Sequence, residues 1–378
     1  MRRRGTACRS RTPGGHAGLP RARLAVADLL ASRYGAVGSA LRRGPARSSG
    51  GGCVPGRRVM EKPAHHTRSG FRNAVAIPRA GPSVTVPFLF RRMTGLARRR
   101  PGAPPAVAND GALLRGNALH SAPTATWIGH ATVLMQMDHV TFLTDPIWST
   151  TASPLSFFGP RRFVPPPLAL DALPPVDFVL ISHNHYDHLD LATLRRLAAA
   201  GTRFLVPLRV GDLLRAAGIG PVDELDWWET RRIGAVTVHC VPSQHWSGRR
   251  LGDTNATLWV GWVVVGPSRR FYFAGDTGYF GGLAEIGRRF GPIGLAALPI
   301  GAYEPAAMMH AVHLDPEQAV QGGLDVGAEI MLGIHYGTFD LTDEPLDEPP
   351  RRFLAEAVRR GLGSARVWAA PLGETRQW

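Results

Sequence analysis

Val176-Asp177-Phe178-Val179-Leu180-Ile181 is a nearly unbroken apolar run, and Ser182-His183-Asn184-His185-Tyr186-Asp187-His188-Leu189-Asp190 follows it directly. So short a run reads as a strand buried on both faces. After Leu189 the apolar positions Leu191, Leu194 and Leu197 recur at helical spacing, and Gly201 supplies a stop. The motif His183-x-His185-x-Asp187-His188 therefore sits in a loop between a buried strand and a helix. Such a loop can turn several polar side chains toward one place. His183 and His185 share a side while the backbone is still extended, and Asp187 and His188 aim at a second point nearby. Imidazole and carboxylate without thiolate suit zinc, iron or manganese. These groups could serve one ion or two. A solvated polar loop is the competing reading, and the buried strand feeding the motif weighs against it. Asp190 stands where it could cap the helix or hold a ligand imidazole.

Outward from this loop, the pairing of apolar strand and polar terminus recurs. His245 follows a predicted strand at 233–241, Asp276 follows one at 271–274, and His335 follows one at 329–334. Any of the three alone reads equally well as a satisfied core residue; their shared position at strand ends groups them with the histidine loop. His130 and Asp145 fall at strand ends on the same side and are expected to support ligands by hydrogen bonding. His239 lies inside a strand and is expected to pack, as are His65 and His66. Further strands are predicted at 133–137 and 140–143, joined by a turn at Asp138-His139, and at 258–265, 295–300 and 365–369. Helical stretches at 316–321 and 350–360 fall among them. Strands with interspersed helices point to a layered α/β protein on two sheets.

The chain has 378 residues and a formal net charge of +15, which first suggests nucleic acid. Its distribution excludes that reading. Residues 1–59 hold 13 Arg and one acid, Asp28, so +12 of the charge lies there and +3 remains for 60–378. No nucleic-acid partner is expected. The segment 1–59 is rich in Arg, Gly, Ser and Pro and is expected to be a disordered tail. Met60 offers an alternative start, which would make that tail an extension. Residues 60–120 read as an arm packed on the core. Within them 84–90 is apolar and is followed by Arg91-Arg92, read as a strand or helix on the core, with a membrane-surface segment as the alternative. Trp148, Phe157, Phe158 and Phe163, with Arg161 and Arg162, read first as packing and second as a lipid-facing rim. Three cysteines, Cys8, Cys53 and Cys240, leave no disulfide framework. No run approaches the roughly 18 apolar residues of a membrane span, and the segment 24–41 makes a poor signal peptide. The expected location is cytoplasmic, with peripheral contact at the inner membrane.

The ordered motifs resemble the metallo-β-lactamase superfamily, and within it the N-acylphosphatidylethanolamine-hydrolysing phospholipases D and their bacterial relatives. The resemblance rests on Lys62-Pro63-Ala64-His65-His66, Thr126-Trp127-Ile128-Gly129-His130-Ala131-Thr132, Leu143-Thr144-Asp145-Pro146-Ile147, the loop 183–190 and Gln244-His245-Trp246. It continues through 273–279, Leu298-Pro299-Ile300-Gly301-Ala302-Tyr303-Glu304-Pro305, His313 and 334–339. It implies an αββα sandwich of two mixed β-sheets flanked by helices, with the hydrolase domain at 121–378. It implies two Zn2+ ions, one held by His183, His185 and His245, the other by Asp187, His188 and His335, with Asp276 bridging. Asp187 and His313 are implied in catalysis, His313 at the phosphate or leaving group, with a metal-bridging hydroxide as nucleophile. The implied substrate is a phospholipid, N-acylphosphatidylethanolamine, cleaved to phosphatidic acid and an N-acylethanolamine. Where relatives carry an aromatic pair after Glu304-Pro305, this chain has Ala306-Ala307, which bears on acyl-chain preference. A soluble-substrate lactonase or phosphodiesterase on the same fold is the alternative, and a homodimer stays open.

Overall fold

A computed structural model describes residues 63–78, 80–94, 102, 104–118, 122–155 and 159–378. The segment 1–59, Met60, Lys62, Phe157 and Phe158 lie outside them. Two seven-stranded sheets form the centre. The first runs, edge to edge, through β14 (Thr375–Gln377), β1 (Thr124–Gly129), β2 (Thr132–Met137), β3 (Val140–Thr144), β4 (Phe178–Leu180), β5 (Arg203–Pro207) and β6 (Val222–Leu225). The second runs through β13 (Val367–Trp368), β12 (Ala328–Ile334), β11 (Ile293–Pro299), β10 (Arg270–Phe273), β9 (Val260–Val265), β8 (Val236–Pro242) and β7 (Thr230–Ile233). Both sheets are mixed. β14 to β3 pair antiparallel and β3 to β6 parallel; β13 to β10 pair parallel and β10 to β7 antiparallel.

Strand alternation explains the layers. Phe178 and Leu180 of β4 enter the core between the sheets with Phe142, Trp262 and Phe271, while Val179 faces outward with Leu134, Leu143 and Phe204. That outer face is covered by α3 (Leu191–Ala199) and α4 (Val210–Ala216), which bury Leu194, Leu197 and Leu214. On the far side, Leu283, Ile286, Val320 and Phe353 of α5 (Gly282–Phe290), α7 (Pro316–Asp325) and α8 (Glu348–Arg359) pack against the second sheet. Because both faces of each sheet are covered, β4 reads as a continuous apolar run.

The predicted strand 233–241 is two strands. Gly234 adopts φ 55° and turns β7 back into β8, so only Val236–Pro242 leads to His245. The turn after β2 is as expected: Asp138 (φ 46°) and His139 (φ 65°) both take the left-handed conformation of a tight hairpin. Of the two readings for 84–90 on the core, helix holds: α1 spans Pro82–Thr94. It is tied down by Arg92, which donates to Asp340 Oδ1 (2.7 Å), and by the Arg91–Asp343 pair. The short helices α2 (Ala112–Asn117) and α6 (Ala306–Met309) complete the α-helices among the described residues. Among the described residues, no helix is long and apolar enough to cross a membrane.

Candidate metal centre

The strands of both sheets deliver polar side chains to one rim. After β4 the loop brings His183 Nε2 within 2.7 Å of His185 Nδ1, and His245, beyond β8, places Nε2 3.3 Å from the same His185 nitrogen. These three atoms face a common point. A second group adjoins it. His188 Nε2 lies 3.1 Å from His335 Nε2, and Asp187 Oδ2 lies 3.4 Å from the first and 3.7 Å from the second. Asp276 stands between the groups. Its Oδ1 is 3.1 Å from His335 Nε2; its Oδ2 is 3.1 Å from His188 Nε2, 3.7 Å from His245 Nε2 and 3.9 Å from His183 Nε2. All seven predicted ligands thus converge, although they come from four places in the sequence. His313 enters the same space with Nδ1 4.0 Å from Asp276 Oδ2.

Local backbone makes the convergence possible. Gly275 adopts φ 60°, and a Cβ there would sit 2.6 Å from Ser182 Cβ, so glycine lets the chain turn Asp276 into the cleft beside the histidine loop. His130 (φ 52°), Asp145 (φ 33°) and His335 (φ 63°) are held in the left-handed region, at a cost of about 1–3 kcal/mol each, as is common where a site dictates geometry.

A network behind the ligands fixes their tautomers. His188 Nδ1 donates to Asp145 Oδ2 (2.7 Å) and His245 Nδ1 donates to Val312 O (2.9 Å), so both rings turn Nε2 toward the centre. Asp145 also accepts from the Ser182 backbone and hydroxyl, and the Ser182 Oγ lies 2.8 Å from His183 Nδ1. His130 Nε2 reaches Asp187 Oδ2 at 2.9 Å. Asp190 caps α3, accepting from Ala192 N (3.1 Å) and Thr193 Oγ1 (2.6 Å), so of its two predicted roles it takes the first. His65 and His66 pair with Asp226 on the arm's underside. Arg162 is tucked inward, donating to Ile147 O (2.6 Å), and Trp148 donates to Leu168 O (2.9 Å), so neither forms a lipid-facing rim.

Electrostatics separate the two groups. Burial, and then the neighbouring histidines, hold His183 well below the ordinary imidazole range; burial brings His245 down to about 4. Burial also opposes charge on His188 and His335, but the carboxylates of Asp276 and Asp187 outweigh it. His188 is held well above the ordinary range and His335 at about 9. Asp187 and Asp276 are themselves held far below the usual carboxylate range; burial alone would raise them, and His188 prevails. The buried His335 Nδ1 makes no hydrogen bond among the described residues. Imidazole nitrogens 2.7–3.3 Å apart, with carboxylate oxygens of Asp187 and Asp276 among them, fit divalent cations, which would displace the protons that His188 and His335 hold.

The site opens into a cavity of about 500 Å³. Asp187, Asp276, His313 and His335 form its base, and Ile77, Phe88, Leu89, Met308, Met309 and Val312 supply apolar wall. Residues 140–336 match the beta-lactamase superfamily domain. The chain belongs to the metallo-β-lactamase superfamily. It is a metal-dependent hydrolase on that superfamily's fold. An uncharacterized protein of Mycobacterium tuberculosis is 46% identical over 265 residues, covering 68% of this chain and 69% of that one. The N-acyl-phosphatidylethanolamine-hydrolyzing phospholipase D 1 of Caenorhabditis elegans is 43% identical over 264 residues, covering 66% of this chain and 74% of its own. A solved metallo hydrolase of Ignicoccus hospitalis shares the fold at 23% identity, with a TM-score of 0.52, over 68% of this chain and 98% of its own.

Sequence reasoning passed over Asn73, Ser182 and Arg249. Arg249 Nη1 donates to Asn184 O (3.0 Å) and Leu189 O (2.9 Å), holding both ends of the histidine loop. Nothing in its sequence neighbourhood marks it, because the chain is uniformly rich in arginine.

Proposed function

We propose that this hydrolase is a phosphodiesterase of the phospholipase D type, cleaving N-acylphosphatidylethanolamine with two zinc ions. The observation that carries the reading is the apolar cavity opening directly onto two adjacent ligand groups. Phospholipids combine a phosphodiester with long hydrocarbon chains, and this site joins a cationic centre to apolar walls in the same way. The similarity to the nematode phospholipase supports the substrate class.

Two divalent ions bound by these groups would supply Lewis acidity toward phosphoryl oxygens and bring the pKa of water toward ~7. The protein's own parts follow from the geometry. Asp276 reaches both ligand groups and so fixes their spacing. Asp187 adds negative charge to the group containing His188 and His335, with His130 holding its Oδ2. His313 is neutral at physiological pH, because burial brings it down to about 3. It therefore acts as an N–H hydrogen-bond donor toward the phosphate or the departing oxygen rather than as a stored acid. Met308 and Met309 of α6 give the cavity a pliable wall, which suits long chains of varied shape.

Helix α1 supports peripheral contact with a phospholipid surface on the cytoplasmic leaflet. Its inner face contributes Phe88 and Leu89 to the cavity, while Val86 and Phe90 are 61% and 59% exposed on the other side. The test is hydrolysis of vesicle-borne N-acylphosphatidylethanolamine compared with soluble bis-p-nitrophenyl phosphate and lactones, with elemental analysis of the purified protein. Release of N-acylethanolamine with about two zinc ions per chain is expected. Preference for lactones or for the soluble diester would overturn the reading.

A further inference from the structure

β8 ends at Pro242, yet Ser243, Gln244 and His245 remain buried beyond the sheet. Their backbone groups have left the strand ladder and need other partners. Gln244 N donates to Thr277 Oγ1 (3.0 Å), and Gln244 O accepts from Gly278 N (2.8 Å). For His245, one side chain supplies both partners. Asn73 Nδ2 donates to His245 O at 2.6 Å, and His245 N donates to Asn73 Oδ1 at 3.1 Å. The same Oδ1 accepts from Trp259 Nε1 at 2.8 Å, so the amide is fixed in orientation. Two residues on, Val75 O accepts from Gln244 Nε2 at 2.8 Å.

Asn73 belongs to the arm, and the arm is fastened upstream. His65 and His66 donate from Nε2 to the two oxygens of Asp226 at 2.6 and 2.7 Å, and His65 stacks on Trp227 at 4.1 Å. Phe71 N donates to Asn255 O at 2.8 Å. At Gly70 a Cβ would lie 2.0 Å from that same Asn255 oxygen, so only glycine permits the approach. The arm is thus anchored on the core a few residues before it grips a predicted ligand.

We propose that Asn73 is a positioning residue for the ion held by His183, His185 and His245, and that the arm serves to hold the His245 corner of the centre. This rests on reading those three histidines as ligands of one ion. The imidazole of His245 is oriented separately, through Val312 O. Asn73 instead sets where its Cα stands, and hence whether Nε2 reaches the point shared with His183 and His185. Cutting the amide away leaves a buried N–H and C=O without partners, and the corner relaxes outward.

The test is titration of the metal-free full-length protein with Co2+, followed by visible absorption and elemental analysis, with thermal melting as the check on folding. Asn73→Ala is compared with Asn73→Asp and His245→Ala. Asn73→Asp keeps the acceptor for His245 N and Trp259 but loses the donor to His245 O. Loss of supporting partners behind a ligand costs about 10–100-fold in metal affinity. The expected result is a loss of that size in one of two binding steps for Asn73→Ala, a smaller loss for Asn73→Asp, and loss of the same step in His245→Ala. Wild-type affinity and spectrum in Asn73→Ala, while His245→Ala loses an ion, would overturn the role of Asn73 alone. Retention of both ions by His245→Ala would overturn the ligand reading, and this inference with it. Should Asn73→Ala fail to fold, Asn73→Asp decides, and unchanged affinity there refutes the proposal.

Discussion

The two ligand groups are neighbours, share Asp276, and behave oppositely toward protons. His183, His185 and His245 bring no carboxylate of their own, and burial depresses His183 and His245. Asp187, His188 and His335 include one, and with Asp276 it draws positive charge onto the two imidazoles despite equal burial. A buried imidazole set has no net charge to attract a cation and depends on shape. A buried set with carboxylates is electrostatically primed for a cation, and in its absence holds protons instead. The expectation is therefore ordered loading, the Asp187 group first and the all-imidazole group second.

The largest effect expected is from Asp187→Asn. It keeps the shape of the side chain and removes the charge that distinguishes the two groups. Metal affinity at the His188–His335 group should fall by on the order of 100-fold or more, beyond the 10–100-fold of a supporting partner, and turnover should be lost. Elemental analysis and a vesicle assay check both. His245→Ala should instead leave the Asp187 group loaded. If Asp187→Asn retained both ions and full turnover, the distinction drawn between the groups would fail.

Asp145→Ala should have a smaller but broader effect. Its carboxylate accepts from His188 Nδ1 and from the Ser182 hydroxyl beside His183 Nδ1, so it supports one imidazole from each group. A loss of about 10–100-fold in both binding steps is expected, measured by the same cobalt titration. A loss confined to one step would show that the Ser182 link to His183 carries nothing.

What could be read in advance depended on whether a residue announced itself locally. The histidine loop did, because an apolar strand, four ligand side chains and a helix stand in one continuous segment. His245, Asp276 and His335 were legible for the same reason, each as a polar residue leaving an apolar strand. The turn at Gly234 was missed because Ile233 and Val236 are both apolar, so periodicity ran across the break. β1, β5, β6 and β14 and the helices α2, α4, α5 and α6 went unmarked, being short and decided by tertiary pairing rather than by local pattern. Asn73 was illegible for a deeper reason. It lies 172 positions from His245, and an asparagine in an irregular arm carries no signal that it will pair with a distant backbone. Asp226 likewise gave no sign that it would anchor both His65 and His66.

The finest test of the comparison uses the metal-free protein. His335 titrates at about 9 and His188 above the ordinary range, whereas in an unfolded chain each would titrate near ~6.5. Between those values the folded state holds more protons than the unfolded one, so stability falls as pH rises through that window. His183, His245 at about 4 and His130 at about 3 work in the other direction. They stay neutral in the fold and gain protons on unfolding, so stability also falls as pH drops below ~6.5. Metal-free protein should therefore melt highest near pH 6.5 and lose a few degrees by pH 9, a size set by the roughly 2–4 °C that accompany 1 kcal/mol in a domain of 150–250 residues. Loaded protein should lack the alkaline decline, because the ions replace the protons on His188 and His335, and loading at pH 8 should release protons into weak buffer. Melting curves at several pH values, with and without metal, provide the comparison. A metal-free melting temperature that stays level from pH 6.5 to 9 would mean that Asp187 and Asp276 do not charge their neighbours, and that the two groups differ in ligand type alone.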